Sequence, residues 1–232
     1  MKKKIVTLGI AAALALGASG AYADEGGPND IRLGLYFVHF ETEADNISGP
    51  YVPPSLGLNI HVQNVETLYL AYVRTLTRHL NLELTVGYPP LTKTEGRGPP
   101  TVGSVPYNGQ IISTARWLSP TLLLEYVFGD PSSRLRPYVG AGVNYTKFAS
   151  RQSTAAGNAA SGGPTSISLP VSVGPTLTAG LAYHLTGRWH LYASYSVARV
   201  NTKLTANTAG IIRTSNVHFW PNTVVISAGY SF

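Results

Sequence analysis

The side chains able to move protons, hold metals or form ion pairs are few in this 232-residue chain: 17 Lys plus Arg, 11 Asp plus Glu, 6 His and no Cys. Zero cysteine removes a disulfide framework, a thiolate zinc site and a cysteine nucleophile together. His39, His61, His79, His184, His190 and His218 are dispersed with no i,i+4 pair, so their spacing offers no metal site. His184 and His190 flank one short turn and read as solvated turn-end side chains. Nothing matches G-x-S-x-G, H-E-x-x-H, a P-loop or G-x-G-x-x-G, and spacing picks out no Ser/His/acid trio. No catalytic, cofactor-binding or metal-ligating residue is expected, and no cofactor. Asn46-Ile-Ser48 and Asn144-Tyr-Thr146 carry the glycosylation pattern, a chance match at Asn144, whose side chain falls on an inward face.

What remains is electrostatic, and it requires the elements that carry it. Only 12% of residues are charged against 44% apolar, which fits neither a solvated disordered chain nor an ordinary soluble helical domain. Lys2, Lys3 and Lys4, the apolar run Ile5 to Ala18, and Ala21-Tyr22-Ala23 read as a signal peptide over residues 1–23, cleaved before Asp24. Three of the 17 basic residues leave with it, so residues 24–232 carry 14 against 11, a net charge of +3 that predicts no nucleic-acid partner.

No stretch of residues 24–232 is apolar for the length of a membrane-spanning helix. Instead the period is two. Ile31, Leu33, Leu35 and Phe37 alternate with Arg32, Gly34, Tyr36 and Val38, and the pattern returns around Leu68–Val73, Leu82–Gly87, Thr121–Phe128, Tyr138–Tyr145, Thr176–Tyr183, Leu191–Ala198 and Val224–Phe232. Arg32, Glu83 and Glu125 lie opposite the Leu and Val rows, the reverse of a soluble barrel with its apolar face inward. The greasy face therefore meets lipid. Tyr72, Trp117, Tyr126, Tyr145, Trp189 and Trp220, near strand ends, read as interfacial girdles.

Connection lengths agree. Short turns at 77–79, 129–133 and 186–188 alternate with four long segments at 41–65, 89–116, 149–170 and 201–221, rich in Gly, Pro, Ser, Thr and Asn. The expectation is an all-β fold, an eight-stranded antiparallel transmembrane β-barrel in the bacterial outer membrane, with four long extracellular loops and both termini periplasmic. The run 155–163 reads as a flexible loop tip.

The run 118–146, LSPTLLLEYVFGDPSSRLRPYVGAGVNYT, resembles the central block of the outer membrane protein W (OmpW) family, as do the second-to-third strand hairpin and the end ISAGYSF at 226–232. The resemblance spans most of the chain apart from the long loops. It implies a narrow pore with an apolar interior for passive uptake of small hydrophobic molecules, as in the alkane-import members of that family. Roles that other members assign to loop residues do not carry over, because the loops depart from the family.

Several residues become candidates within this frame. Tyr36, Val38, Phe40 and Tyr69 line the channel interior, while Arg32, Glu83, Glu125 and Arg136 form a plug at the periplasmic end, where charges with little water must pair. The plug serves transport or merely holds the barrel shut. Proline cannot donate to a ladder, yet Pro89 and Pro90 end the third strand and Pro120 sits in the fourth. If Leu80 pairs near Phe128, Pro89 falls almost opposite Pro120, giving a gap for lateral exit into the bilayer or simply ending the pairing. Tyr230 and Phe232 resemble the terminal signal read by the barrel-insertion machinery. The expected partners are thus outer-membrane lipid, small hydrophobic substrates and that machinery. A structural or receptor-type barrel without transport, and a lipid-modifying barrel enzyme with a Ser/His/acid cluster at its outer rim, remain as alternatives.

Overall fold

A computed structural model describes residues 27–232, so the signal peptide expected over 1–23 lies outside the described residues. In chain order the strands are β1 (Asn29–Ala44), β2 (Asn59–Val62), β3 (Val65–Thr75), β4 (Leu80–Gly87), β5 (Leu91–Arg97), β6 (Thr101–Val102), β7 (Val105–Pro106), β8 (Ile111–Leu118), β9 (Thr121–Val127), β10 (Leu135–Ser153), β11 (Thr165–Ser168), β12 (Ser172–Thr186), β13 (Trp189–Ala198), β14 (Val200–Thr208) and β15 (Ile211–Ser231). Eight of them close a ring, β1 to β3, β4, β9, β10, β12, β13, β15 and back to β1, with every neighbour antiparallel. Closure leaves no unpaired sheet edge to lipid. The ends are stitched together: the Asn29 amide donates to the Phe232 carbonyl (3.2 Å), and the Phe232 amide returns a bond to Asn29 (2.8 Å).

The wall alternates as the period predicts. Ile31, Leu33, Leu35 and Phe37 point outward, Leu33 with 61% exposure, while Arg32 is buried inside. Further along several of the strands the apolar set changes face. In β1 the inward side chains become the half-buried Val38 and the buried Phe40, and the outward ones His39, Glu41 and Glu43. In β8 and β10 Trp117 and Phe148 turn inward while Arg116 and Lys147 turn outward, and in β15 Val217 and Phe219 turn inward against His218 and Asn216. The wall is built for lipid at the short-turn end and for water at the other.

The four long segments are more ordered than their composition implies. β2, β5 and β8 extend one side of the wall onto the upper part of β10, and β11 and β14 extend the other onto β15. The run expected as a flexible tip holds a helix, α1 (Ala155–Ser161), capped by Thr154, whose hydroxyl accepts from the Gly157 amide (3.1 Å). The helix packs on β8 because Gly157 has no side chain: a Cβ there would sit 2.0 Å from the Ile112 carbonyl oxygen. The turn after β9 is fixed by Asp130, which accepts from the Ser132 hydroxyl (2.6 Å) and amide (2.8 Å), holding its carboxyl below the usual range.

Candidate functional site

The barrel interior is divided into three levels. Nearest the short turns lies a buried charge cluster. Arg32, 3% exposed, reaches Asp30 (Nε to Oδ2, 3.2 Å), Glu83, and Glu125 (Nη2 to Oε2, 3.7 Å). Tyrosines complete it: the Tyr69 hydroxyl donates to Glu83 (2.9 Å), the Tyr192 hydroxyl donates to Asp30 (2.7 Å), and the guanidinium lies 3.8 Å from the Tyr192 ring centre. Gly229 makes room, since a Cβ there would meet the Tyr192 ring at 2.6 Å and the Asp30 carboxylate at 2.8 Å. Three carboxylates surround one guanidinium, and a polar recess of about 580 Å³ lies on their far side, at the short-turn mouth.

Above this floor is a cavity of about 110 Å³. Tyr36, Val38, Phe40 and Tyr69 line it, Tyr36 edge-on to Tyr69 (centroids 4.9 Å apart) and bonded to Thr85 (3.2 Å). The middle of its wall is rich in hydroxyl and amide groups, among them Thr121, Asn144, Thr146, Thr178, Ser194 and Ser196. The interior thus grades from charged at the floor, through hydroxyl and amide groups, to apolar at the top.

The ceiling is aromatic. Trp117 packs on Phe40 (4.6 Å between centroids), Phe148 (4.7 Å) and Phe219 (5.0 Å), within a cluster that includes Ile60, Val62, Val200 and Val217. Trp117 was expected in a lipid-facing girdle. Its 7% exposure places it inside, because the alternation has already inverted at that height. Tyr126, Tyr145, Trp189 and Trp220 do face outward. Beyond the ceiling, at the long-loop end, a second cavity of about 130 Å³ sits beneath α1, lined by Leu58, Ile60, Tyr107 and Ile167 among others.

Beside the middle cavity the strand pairing is interrupted. The β4–β9 ladder ends at Thr85–Thr121, and pairing resumes between β5 and β8 at Leu91–Arg116. Across the interval the Trp117 amide donates to the Pro90 carbonyl (3.3 Å), and the Arg116 side chain donates to the Pro89 carbonyl (3.0 Å). Pro120 lies in this seam as well, but the register is shifted from expectation. Leu80 pairs with Tyr126, two residues from Phe128, which sets Pro120 opposite Val86; the register then slips by one before Leu91–Arg116, and the Trp117 amide meets Pro90. Of the expected plug residues, one lies elsewhere, and an unexpected carboxylate joins the cluster. Arg136 stands apart from the Arg32 cluster, at the mouth, donating to the Arg78 carbonyl (2.8 Å). Asp30 takes the place expected for it, and nothing in the local alternation distinguishes Asp30, the first inward residue of β1. His184 and His190 are not separate solvated groups: their ring nitrogens meet at 3.0 Å, and His190 contacts the Ser231 hydroxyl at 3.3 Å.

The comparisons with known proteins coincide with this architecture. The OmpW family profile matches residues 31–232. Outer membrane protein W of Vibrio cholerae is 29% identical over 232 residues, all of both chains, and that of Escherichia coli is 30% identical over 230 residues, 99% of this chain and 100% of the other. Among solved structures, the outer membrane protein OprG from Pseudomonas aeruginosa superposes with a TM-score of 0.78 at 23% identity, covering 90% of this chain and 99% of OprG. AlkL in lipid bilayers gives 0.62 at 18% identity, covering 93% and 95%. The E. coli protein W structure gives 0.55 at 28% identity, covering 90% and 100%. The outward apolar band has its medium in the outer membrane, and the chain belongs to the OmpW family of outer-membrane β-barrels.

Proposed function

We propose that this barrel is a non-enzymatic, passive conduit that takes small, largely apolar molecules from outside the cell and releases them sideways into the outer membrane. The long-loop end faces the exterior in this reading, and the short turns and both termini face the periplasm, as is usual for such barrels. The observation that carries it is the position of the middle cavity, which ends below on a buried charge cluster and abuts the seam at Val86–Pro90 and Trp117–Pro120. An apolar molecule crossing the floor would strip water and partners from charges in a low-dielectric lumen. Through the seam it meets lipid, where its transfer is favourable by about 25 cal/mol per Å² of apolar area.

The closed aromatic ceiling favours a second reading, a structural barrel without transport, because a molecule must displace Trp117 or its neighbours to reach the cavity. One experiment separates the two. Uptake of a labelled apolar compound is measured in cells without the protein, with it, and with a Tyr88→Cys/Leu118→Cys variant whose seam is bridged by a short thiol cross-linker. Faster uptake with the protein, lost on bridging and restored on reduction, is expected. No dependence on the protein refutes transport, and uptake undiminished by the bridge refutes the lateral route alone.

A further inference from the structure

The outward wall of the long-loop end carries its charges unevenly. On the β1–β3 side, His39, Glu41, Glu43 and Glu66 face out. Around β5, β8 and β10 the outward charges are mainly cations; the one outward carboxylate there, Glu95, two residues beyond Lys93, is held by the Gln63 amide and by Arg97 at 3.9 Å. Thr92, Ala115, Trp117 and Phe148 are buried inside, so the alternation turns Lys93, Arg116 and Lys147 to the outer surface.

Register places these three in one stripe. Arg116 sits between Leu91 of β5 and Ala149 of β10, and Lys93 and Lys147 are each two residues from those partners. Each lysine is thus a diagonal neighbour of Arg116, about 7–8 Å away. Among the described residues no carboxylate lies within ion-pair distance of any of them, since every ion pair there involves Arg32 or Arg97. Arg116 uses one donor on the Pro89 carbonyl and retains the rest of its fork.

The height of the stripe identifies its partner. Val143 and Tyr145, just below it on β10, are exposed on the apolar face. The cations therefore begin where acyl chains end, the level of lipid headgroups. In the orientation given above that level belongs to the outer leaflet, which in such a membrane is built largely of saccharolipid carrying phosphate on its sugars. Three uncompensated cations in a stripe, over an apolar surface that takes acyl chains, match that lipid in charge and in layering. We infer that Lys93, Arg116 and Lys147 form a binding site for the phosphorylated sugar headgroup of the outer-leaflet glycolipid, fixing this side of the barrel to its surrounding lipid. The inference rests on the orientation in the proposed function but on no transport step, so binding to the purified protein tests it independently.

The full barrel is placed in nanodiscs of zwitterionic lipid and titrated with bis-phosphorylated lipid A, with its dephosphorylated counterpart, with phosphatidylglycerol at equal charge, and with inorganic phosphate. At about fivefold per cation at a membrane surface, Lys93→Gln/Arg116→Gln/Lys147→Gln should weaken binding of the phosphorylated form roughly 100-fold. Glu41→Gln/Glu43→Gln should leave it within about twofold. Where the triple variant does not refold, Lys93→Gln/Lys147→Gln keeps the Arg116–Pro89 bond and should still lose about 25-fold. Wild-type affinity in the variants overturns the site. So does equal affinity for the dephosphorylated lipid, or competition by phosphatidylglycerol or inorganic phosphate as strong as that by lipid A, which would indicate general attraction to anions.

Discussion

Replacing the cluster residues one at a time should give an asymmetric set of stabilities, because one cation serves three carboxylates. At an effective dielectric of about 20, unit charges at the 3.2 Å and 3.7 Å separations of Arg32 from Asp30 and Glu125 attract by roughly 4–5 kcal/mol each. Arg32 collects all of these attractions. Each carboxylate has that one cation, and Glu83 and Glu125 are like-charge neighbours of each other. Arg32→Met, which keeps much of the volume against Tyr192, leaves three buried carboxylates with no cation and should cost about 3–5 kcal/mol. Glu83→Gln loses the most direct ion pair but keeps an acceptor for the Tyr69 hydroxyl and relieves repulsion, so about 1–3 kcal/mol is expected. Glu125, at the longer distance and 1% exposed, should be close to neutral as Gln, within about 1 kcal/mol of either sign. The assay is reversible urea unfolding of barrels refolded into lipid vesicles, followed by tryptophan emission, with free energies taken from midpoint and slope. Equal losses for Arg32→Met and Glu125→Gln would refute the account, since they would mean that the carboxylates do not repel one another in this site. Three small losses would show that water enters the cluster and screens it.

Other parts of the structure give further expectations. Gly229→Ala should destabilise by about 1–3 kcal/mol, because its Cβ has no space beside Tyr192 and Asp30; an unchanged midpoint would mean that the floor is loosely packed. Trp117→Ala removes the centre of the ceiling and should raise uptake of an apolar probe several-fold if ring displacement limits ingress, with unchanged uptake placing the limit elsewhere. Deleting Phe232, whose outward side chain follows β15, should lower membrane yield more than it lowers the unfolding midpoint of whatever protein inserts, as pulse-labelled fractions beside purified barrels will show.

The candidate site was partly legible in the sequence. Arg32, Glu83 and Glu125 could be gathered on one face because a strand fixes the direction of every second side chain, and the structure brings those three together. Which fourth residue completes the set could not be read. Asp30 and Arg136 both lie at the short-turn end, and the choice between them depends on distances across the lumen, set by the tilt of strands on opposite sides of the ring. The register at the seam was legible only to within two residues, for a related reason. A difference between Tyr126 and Phe128 as the partner of Leu80 leaves every face unchanged, because it shifts the register by two, the period of the pattern itself. Hydrophobic alternation is blind to such an even slip, so only the hydrogen-bond ladder settles which residue Pro120 opposes.

The misread segments share a different cause. Alternation was sought with the apolar residues on the lipid side, and that criterion fails above Val38. β14 is regular: Val200, Thr202, Leu204 and Ala206 alternate with Asn201, Lys203 and Asn207, but its apolar set faces inward, as in a water-soluble barrel. The same holds for Phe40 against Glu41, Trp117 against Arg116, and Val217 and Phe219 against His218. Where the outer medium changes from lipid to water, the favourable assignment of faces reverses, so one continuous strand such as β10 or β15 changes phase along its length without changing backbone geometry. The inversion is thus a signal in its own right. It marks the upper edge of the apolar band on each strand, predicts that the wall continues past that edge, and explains why the aromatic ceiling and the outward cations of β8 and β10 occur at the same height.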